Sequence, residues 1–223
     1  MGTKVKPAST RSETRARNRS DLIRAAKELI VERGYHATQL DEIAARVGLT
    51  KGAVYSIFGS KQELLVAVVQ DNDAALQPLA AALQQQPGTA EDVLDRLADS
   101  LLALAHDPDA RQSTTFQLEF VAITLRVPDL LDVGRAIEES GIASISAALT
   151  DRASQGGHVV TAAEAEQISR HALAMLQGFV LSSITIGWTP SPATVRAALH
   201  SLIPRGQAGG RQHGRRPAAS AAE

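Results

Sequence analysis

The chain has 223 residues, enough for one sizeable core or two linked ones, and its 44% apolar content with only 3% aromatic residues suits helix packing better than a β-sandwich. It has no cysteine, which excludes disulfides, thiolate metal sites and cysteine nucleophiles and is compatible with a reducing compartment. The net charge of −1 conceals a division: residues 1–65 carry 12 Lys+Arg against 7 Asp+Glu, net +5, whereas residues 66–203 carry 7 against 16, net −9. A basic head on an acidic body points to a polyanionic partner for the head, a solvated charged surface being the plain alternative.

Residues 1–19 are polar, with Arg11, Arg15, Arg17 and Arg19 spaced among Ser, Thr and Asn, and are expected to form a disordered basic arm. They lack the apolar core of a signal peptide, and no apolar run reaches the ~18 residues of a membrane span, so a cytoplasmic protein is expected. Ser20 is an N-cap type. Leu22, Ala25, Ala26, Leu29 and Ile30 follow at helical spacing, and Gly34 supplies a stop. Two short helices, 39–47 and 51–58, precede a longer one from 61 to about 83 that Pro78 should kink or interrupt. The stretch QQQPG at 84–88 is a break, after which a helix runs to about 106.

Beyond an Asp107-Pro108-Asp109 turn, helices are expected over 110–126 and 130–153, parted by Pro128. A loop at Gln155-Gly156-Gly157 leads to the capping-box pattern Thr161 to Glu164, which opens a long apolar helix to about 188; Ser191-Pro192 opens the last, to about 203. The pattern is all-α, with about nine helices, no strand, and a disordered Gly- and Arg-rich tail over 204–223.

The informative stretch is DEIAARVGLTKGAVYSIFGSK, Asp41 to Lys61. Ala44 is small where two helices cross, Gly48 stands four residues on at a turn requiring positive φ, and Ile43, Val47, Leu49, Val54 and Ile57 supply a buried side. Thr50 then caps a second helix whose outward face carries Lys51, Gly52, Tyr55 and Ser56, the arrangement of a helix-turn-helix. A bare A-x-x-x-G fits an αα-hairpin equally well.

The wider pattern is more specific. An Ala-Ala first helix, R-G-Y at Arg33 to Tyr35, Thr38, I-A at Ile43-Ala44, V-G-L-T-K-G-A-V-Y at Val47 to Tyr55, Phe58 and S-K-x-E-L at Ser60 to Leu64 together resemble the DNA-binding domain of the TetR family of bacterial transcriptional regulators. The resemblance implies a three-helix head over 20–65 and a helical effector-binding and dimerisation body over 66–203. It implies phosphate contacts from Thr38, Thr50, Tyr55 and Lys61, and approach to base edges by Gln39, Lys51, Gly52 and Ser56. Tyr35 and Phe58 match packing positions. Ile57 stands where many members carry a polar residue, and Arg15, Arg17 and Arg19 are candidates to compensate by reaching the DNA backbone or minor groove.

In such a protein the middle helices hold the effector. Phe116, Phe120, Thr124, Met175 and Phe179 are the candidate lining, with Glu119 or Arg126 as polar anchors, and a core stripe is the other reading of the same residues. The last two helices would form a homodimer through Ile168, Ala172, Leu176, Val195, Leu199 and Leu202, the alternative being a single-chain core. The expected function is that of a repressor released from an inverted-repeat operator by a small-molecule effector, the competing reading being a helical ligand-binding or enzyme-like protein that does not use its DNA head. The six histidines are scattered, and no H-x-x-x-H or G-x-S-x-G occurs, so no catalytic residue, metal or cofactor is expected.

Overall fold

The computed structural model describes residues 10–204 except 75–76 and 107–109. The first nine residues of the expected arm, the Asp107-Pro108-Asp109 turn and the tail beyond Pro204 therefore lie outside the described residues. Ten α-helices are described: α1 (Arg11–Arg33), α2 (Leu40–Arg46), α3 (Lys51–Phe58), α4 (Lys61–Ala74), α5 (Gln77–Gln85), α6 (Ala90–His106), α7 (Ala110–Thr124), α8 (Leu131–Leu149), α9 (Ala162–Thr185) and α10 (Pro192–His200). The helix expected over 61–83 is described in two pieces, on either side of residues 75–76, with Pro78 in the first turn of α5, where its missing N–H costs least. Pairing of β type among the described residues is confined to a single bridge, Ala153 to Val159, so the all-α expectation holds. None of the described helices is long and apolar enough to cross a membrane.

The start of α1 corrects the sequence reading. Residues 11–19 are helical, because Thr10 and Glu13 close a capping box: Thr10 Oγ1 accepts the Glu13 N–H at 3.2 Å, and the Glu13 carboxylate accepts the Thr10 N–H at 2.7 Å. At the other end Gly34 takes φ +81° and donates its N–H to Ile30 O at 2.8 Å, which stops the helix.

The packing also crosses the expected boundary at residue 65. One apolar cluster joins Leu22, Leu29, Ile43, Val54, Phe58, Leu65 and Val68 of the first four helices with Phe116, Phe120 and Ile123 of α7. A second cluster unites α5, α6, α8, α9 and α10 around Leu94, Leu149, Ile168, Ala172, Leu176 and Leu199. Helix α7 thus completes the core of the head, and a cut between residues 65 and 66 would run through α4 and expose that core.

Candidate nucleic-acid interface

The turn between α2 and α3 is made by Gly48, at φ +69°, whose N–H donates to Ala45 O at 3.1 Å while the next N–H, of Leu49, reaches Ala44 O at 2.9 Å. Thr50 Oγ1 accepts the Ala53 N–H at 3.3 Å and starts α3. Val54 and Phe58 are buried, fixing one face of α3 to the core. The opposite face is turned outward: Lys51, Gly52, Tyr55 and Ser56 are exposed, Tyr55 at 49%. A methyl added at Gly52 would meet within 4 Å only the Thr50 hydroxyl, at 3.8 Å, so the backbone there can approach a partner closely.

Lys51 forms an ion pair with Asp41 of α2 at 2.8 Å, and this contact holds its ammonium above the usual lysine range and the Asp41 carboxyl below its own. Both side chains are half-exposed or more, so a phosphate can replace the carboxylate at small cost. Gln39, at the start of α2, is exposed as well.

Two residues expected at phosphates have hydrogen-bond partners within the chain. Thr38 is only 1% exposed, and its hydroxyl donates to Gly34 O at 2.9 Å, so it closes the loop between α1 and α2. Lys61 donates to Tyr35 O at 2.6 Å and His36 O at 3.4 Å and lies 4.4 Å above the Tyr35 ring; burial draws its pKa below the ordinary lysine value. Their chemistry suits phosphate, but the fold-back of residues 34–38 sets it to work on backbone carbonyls.

Two arginines of α1 contact the end of α3. Arg15 donates to Ser56 O at 3.3 Å, one of the last carbonyls of α3, which have no partner within the helix. Arg19 lies 5.5 Å from the Phe58 ring centre, over the end of the same helix. Neither residue was assigned this role from the sequence, although the i, i+4 spacing of the two was visible.

In the body, Phe116, Phe120 and Thr124 are buried in or beside the core shared with the head, and Glu119 accepts the Tyr35 N–H at 2.7 Å. These candidates for the effector lining therefore sit under the head, and Glu119 anchors the α1–α2 loop. Arg126 is exposed beyond the end of α7, while Met175 and Phe179 are half-buried on α9. Of these residues only Phe179 borders the small apolar cavity of about 30 Å³ between α6, α9 and α10, together with Leu102, Leu176, Val180 and Val195. Ile168, Ala172, Leu176, Val195 and Leu199 are buried within the one chain and Leu202 is half-buried, so the face expected to meet a second copy is covered by the protein's own helices. The outward face of α9 carries Gln167, His171, Ala174, Gly178 and Leu181 instead.

Residues 22–68 match the family described as bacterial regulatory proteins, tetR family. The HTH-type transcriptional activator FasR of Mycolicibacterium smegmatis is 41% identical over 83 residues, 37% of this chain and 36% of that one, so the match spans little more than a third of FasR. The uncharacterized HTH-type transcriptional regulator TtgW of Pseudomonas putida is 34% identical over 107 residues, 48% of this chain and 74% of its own. A solved TetR-family structure from Streptomyces coelicolor A3 shares the fold, with a TM-score of 0.66 at 22% identity over 83% of this chain and 98% of that one.

Proposed function

Since the chain belongs to the tetR family of bacterial regulatory proteins, we propose that it is a sequence-specific DNA-binding transcriptional regulator: a homodimeric cytoplasmic repressor that leaves an inverted-repeat operator when a small molecule binds its helical body. The observation that carries this reading is the short helix α3, capped by Thr50, anchored by Val54 and Phe58, and presenting Lys51, Gly52, Tyr55 and Ser56 from a basic head. A helix so held enters a major groove, with its first N–H groups toward phosphate and its outward side chains toward base edges.

One head neutralises few phosphates, and a two-fold pair doubles them while reading both half-sites. The dimer face is the outward side of α9, where Ala174, Gly178 and Leu181 let a second helix come close. An added Cβ at Gly178 has nothing within 4 Å, and arginine is a far better helix former than glycine, so Gly178→Arg is harmless to a lone chain. Light scattering is expected to show a dimer for the unaltered protein and a folded monomer for this variant; a wild-type monomer, or a variant that stays dimeric, overturns the face.

The effector site is placed at the small apolar cavity between α6, α9 and α10, whose volume of about 30 Å³ is far below the roughly 300–1,000 Å³ of a drug-sized ligand site. A ligand entering there must part α6, α9 and α10, and a body held in that state shifts the population of head positions away from those that fit both half-sites.

The test begins with genomic fragments selected by the purified protein, which yield the operator. Tyr55→Ala is then expected to lower affinity for that duplex about tenfold, the loss of a contact worth roughly 1–1.5 kcal/mol, with helicity unchanged. Absence of any enriched site, or undiminished binding by the variant, would favour the reading in which the head is not used. FasR is an activator by name, and transcript levels of the neighbouring genes in a deletion strain decide the sign of regulation.

A further inference from the structure

The buried stripe of α1 continues beyond the core it serves. Leu22, Ala25, Ala26 and Leu29 are buried against the head, and at the same helical positions one, two and three turns earlier stand Asn18, then Thr14 and Arg15, then Arg11. The apolar side chains are thus replaced, on one face, by groups that hydrogen-bond to anions. Asn18 and Thr14 are half-buried, while Arg11 and Arg15 are exposed.

This segment is held firmly. The Thr10–Glu13 capping box fixes where the helix begins, Arg15 is bonded to Ser56 O, and Arg19 covers Phe58. Two of its arginines therefore seat the extension on the C-terminal end of α3. Arg11 lies one turn past that seat, with no ion pair or hydrogen bond among the described residues. The turn that carries it extends beyond the core, on the face of α1 from which Arg15 and Arg19 reach α3.

We propose that residues 10–19 are a preorganised helical arm that grips the phosphate backbone of double-stranded DNA beside the groove entered by α3, with Arg11 as its phosphate contact and Arg15 and Arg19 as the residues that hold it in place. The inference rests on the reading that the head binds DNA. It adds a second contact element that needs no base sequence, and so contributes equally to operator and random duplex.

The chain supplies its own control, since Arg17 stands on the opposite side of the arm, is exposed, and carries the same charge. Binding to a fluorescein-labelled random 30-base-pair duplex is followed by anisotropy across a salt series for the full-length protein, Arg11→Ala and Arg17→Ala. For Arg11→Ala the slope of log affinity against log salt is expected to fall by about 0.9 per bound protomer, and affinity to fall roughly fivefold. Arg17→Ala should stay within about twofold of the unaltered protein, as expected of diffuse, screened charge. Ala16→Pro, which breaks the arm inside its first turns, should reproduce the Arg11→Ala loss with the melting temperature of the head retained. Equal losses for Arg11→Ala and Arg17→Ala, or no loss in Arg11→Ala and Ala16→Pro, overturn the arm while DNA binding by the unaltered protein stands; a wild-type chain that binds no duplex overturns both readings.

Discussion

Phe116→Ala is expected to destabilise the protein by about 3–5 kcal/mol, seen as a lower urea midpoint with the steepness of the transition kept. Phe116 is 2% exposed, the largest fully buried side chain among the described residues, and belongs to the cluster in which α7 meets the first four helices. Removing its ring leaves a void among side chains fixed from several directions, so little collapse can offset the lost contacts. The alternative role read from the sequence, a ligand-facing ring in the effector lining, predicts the reverse: a loss below about 1 kcal/mol together with a blunted ligand response. A small stability change would therefore remove Phe116 from the shared core and return it to the effector site.

The same cluster explains which features were legible in the sequence. The cap at Thr50, the turn at Gly48, the stop at Gly34 and the burial of Val54 depend on residues within a few positions of one another, and local pattern is enough to read them. The helical start at Thr10 was equally local, but Ser20 offered the same cap chemistry nearer the first apolar residue and drew the boundary ten residues too late. Thr38 and Lys61 were harder. Both have groups suited to phosphate, and only the path of residues 34–38 turns those groups toward Gly34 O and Tyr35 O. The stripe of Ile168, Ala172 and Leu176 on α9 announces a buried face without saying what buries it, because the 3.6-residue period is the same whether the cover is α8 of the same chain or a helix of a second copy. Glu119 was out of reach, since its partner lies 84 positions away and is a backbone N–H, which carries no mark in the sequence.

That contact yields the second large effect. Tyr35 N–H is held by Glu119 at 2.7 Å, Tyr35 O by Lys61 at 2.6 Å, and Lys27 of α1 reaches Asn72 of α4 at 2.7 Å and Ser113 of α7 at 3.1 Å. Together these bonds tie α7 and α4 to the loop that leads into α2 and α3. Glu119→Ala leaves a half-buried N–H without its charged acceptor, at a cost of about 1.5–3 kcal/mol. On the proposed reading of a dimer at an inverted repeat, operator binding needs both heads in register, whereas random duplex accepts a range of head positions. The variant is therefore expected to lose roughly tenfold in operator affinity and much less on random DNA. Glu119→Gln keeps an acceptor oxygen in the same place and should restore most of the difference. Gly34 is part of the same arrangement: its φ of +81° and the 3.1 Å that an added Cβ would leave to Glu119 Oε1 allow the carboxylate to come this close. If Glu119→Ala binds operator and random duplex as the unaltered protein does, the angle of the head is set by the apolar contacts of Phe116, Phe120 and Ile123 alone, and a signal from the body must travel through packing rather than through this bond.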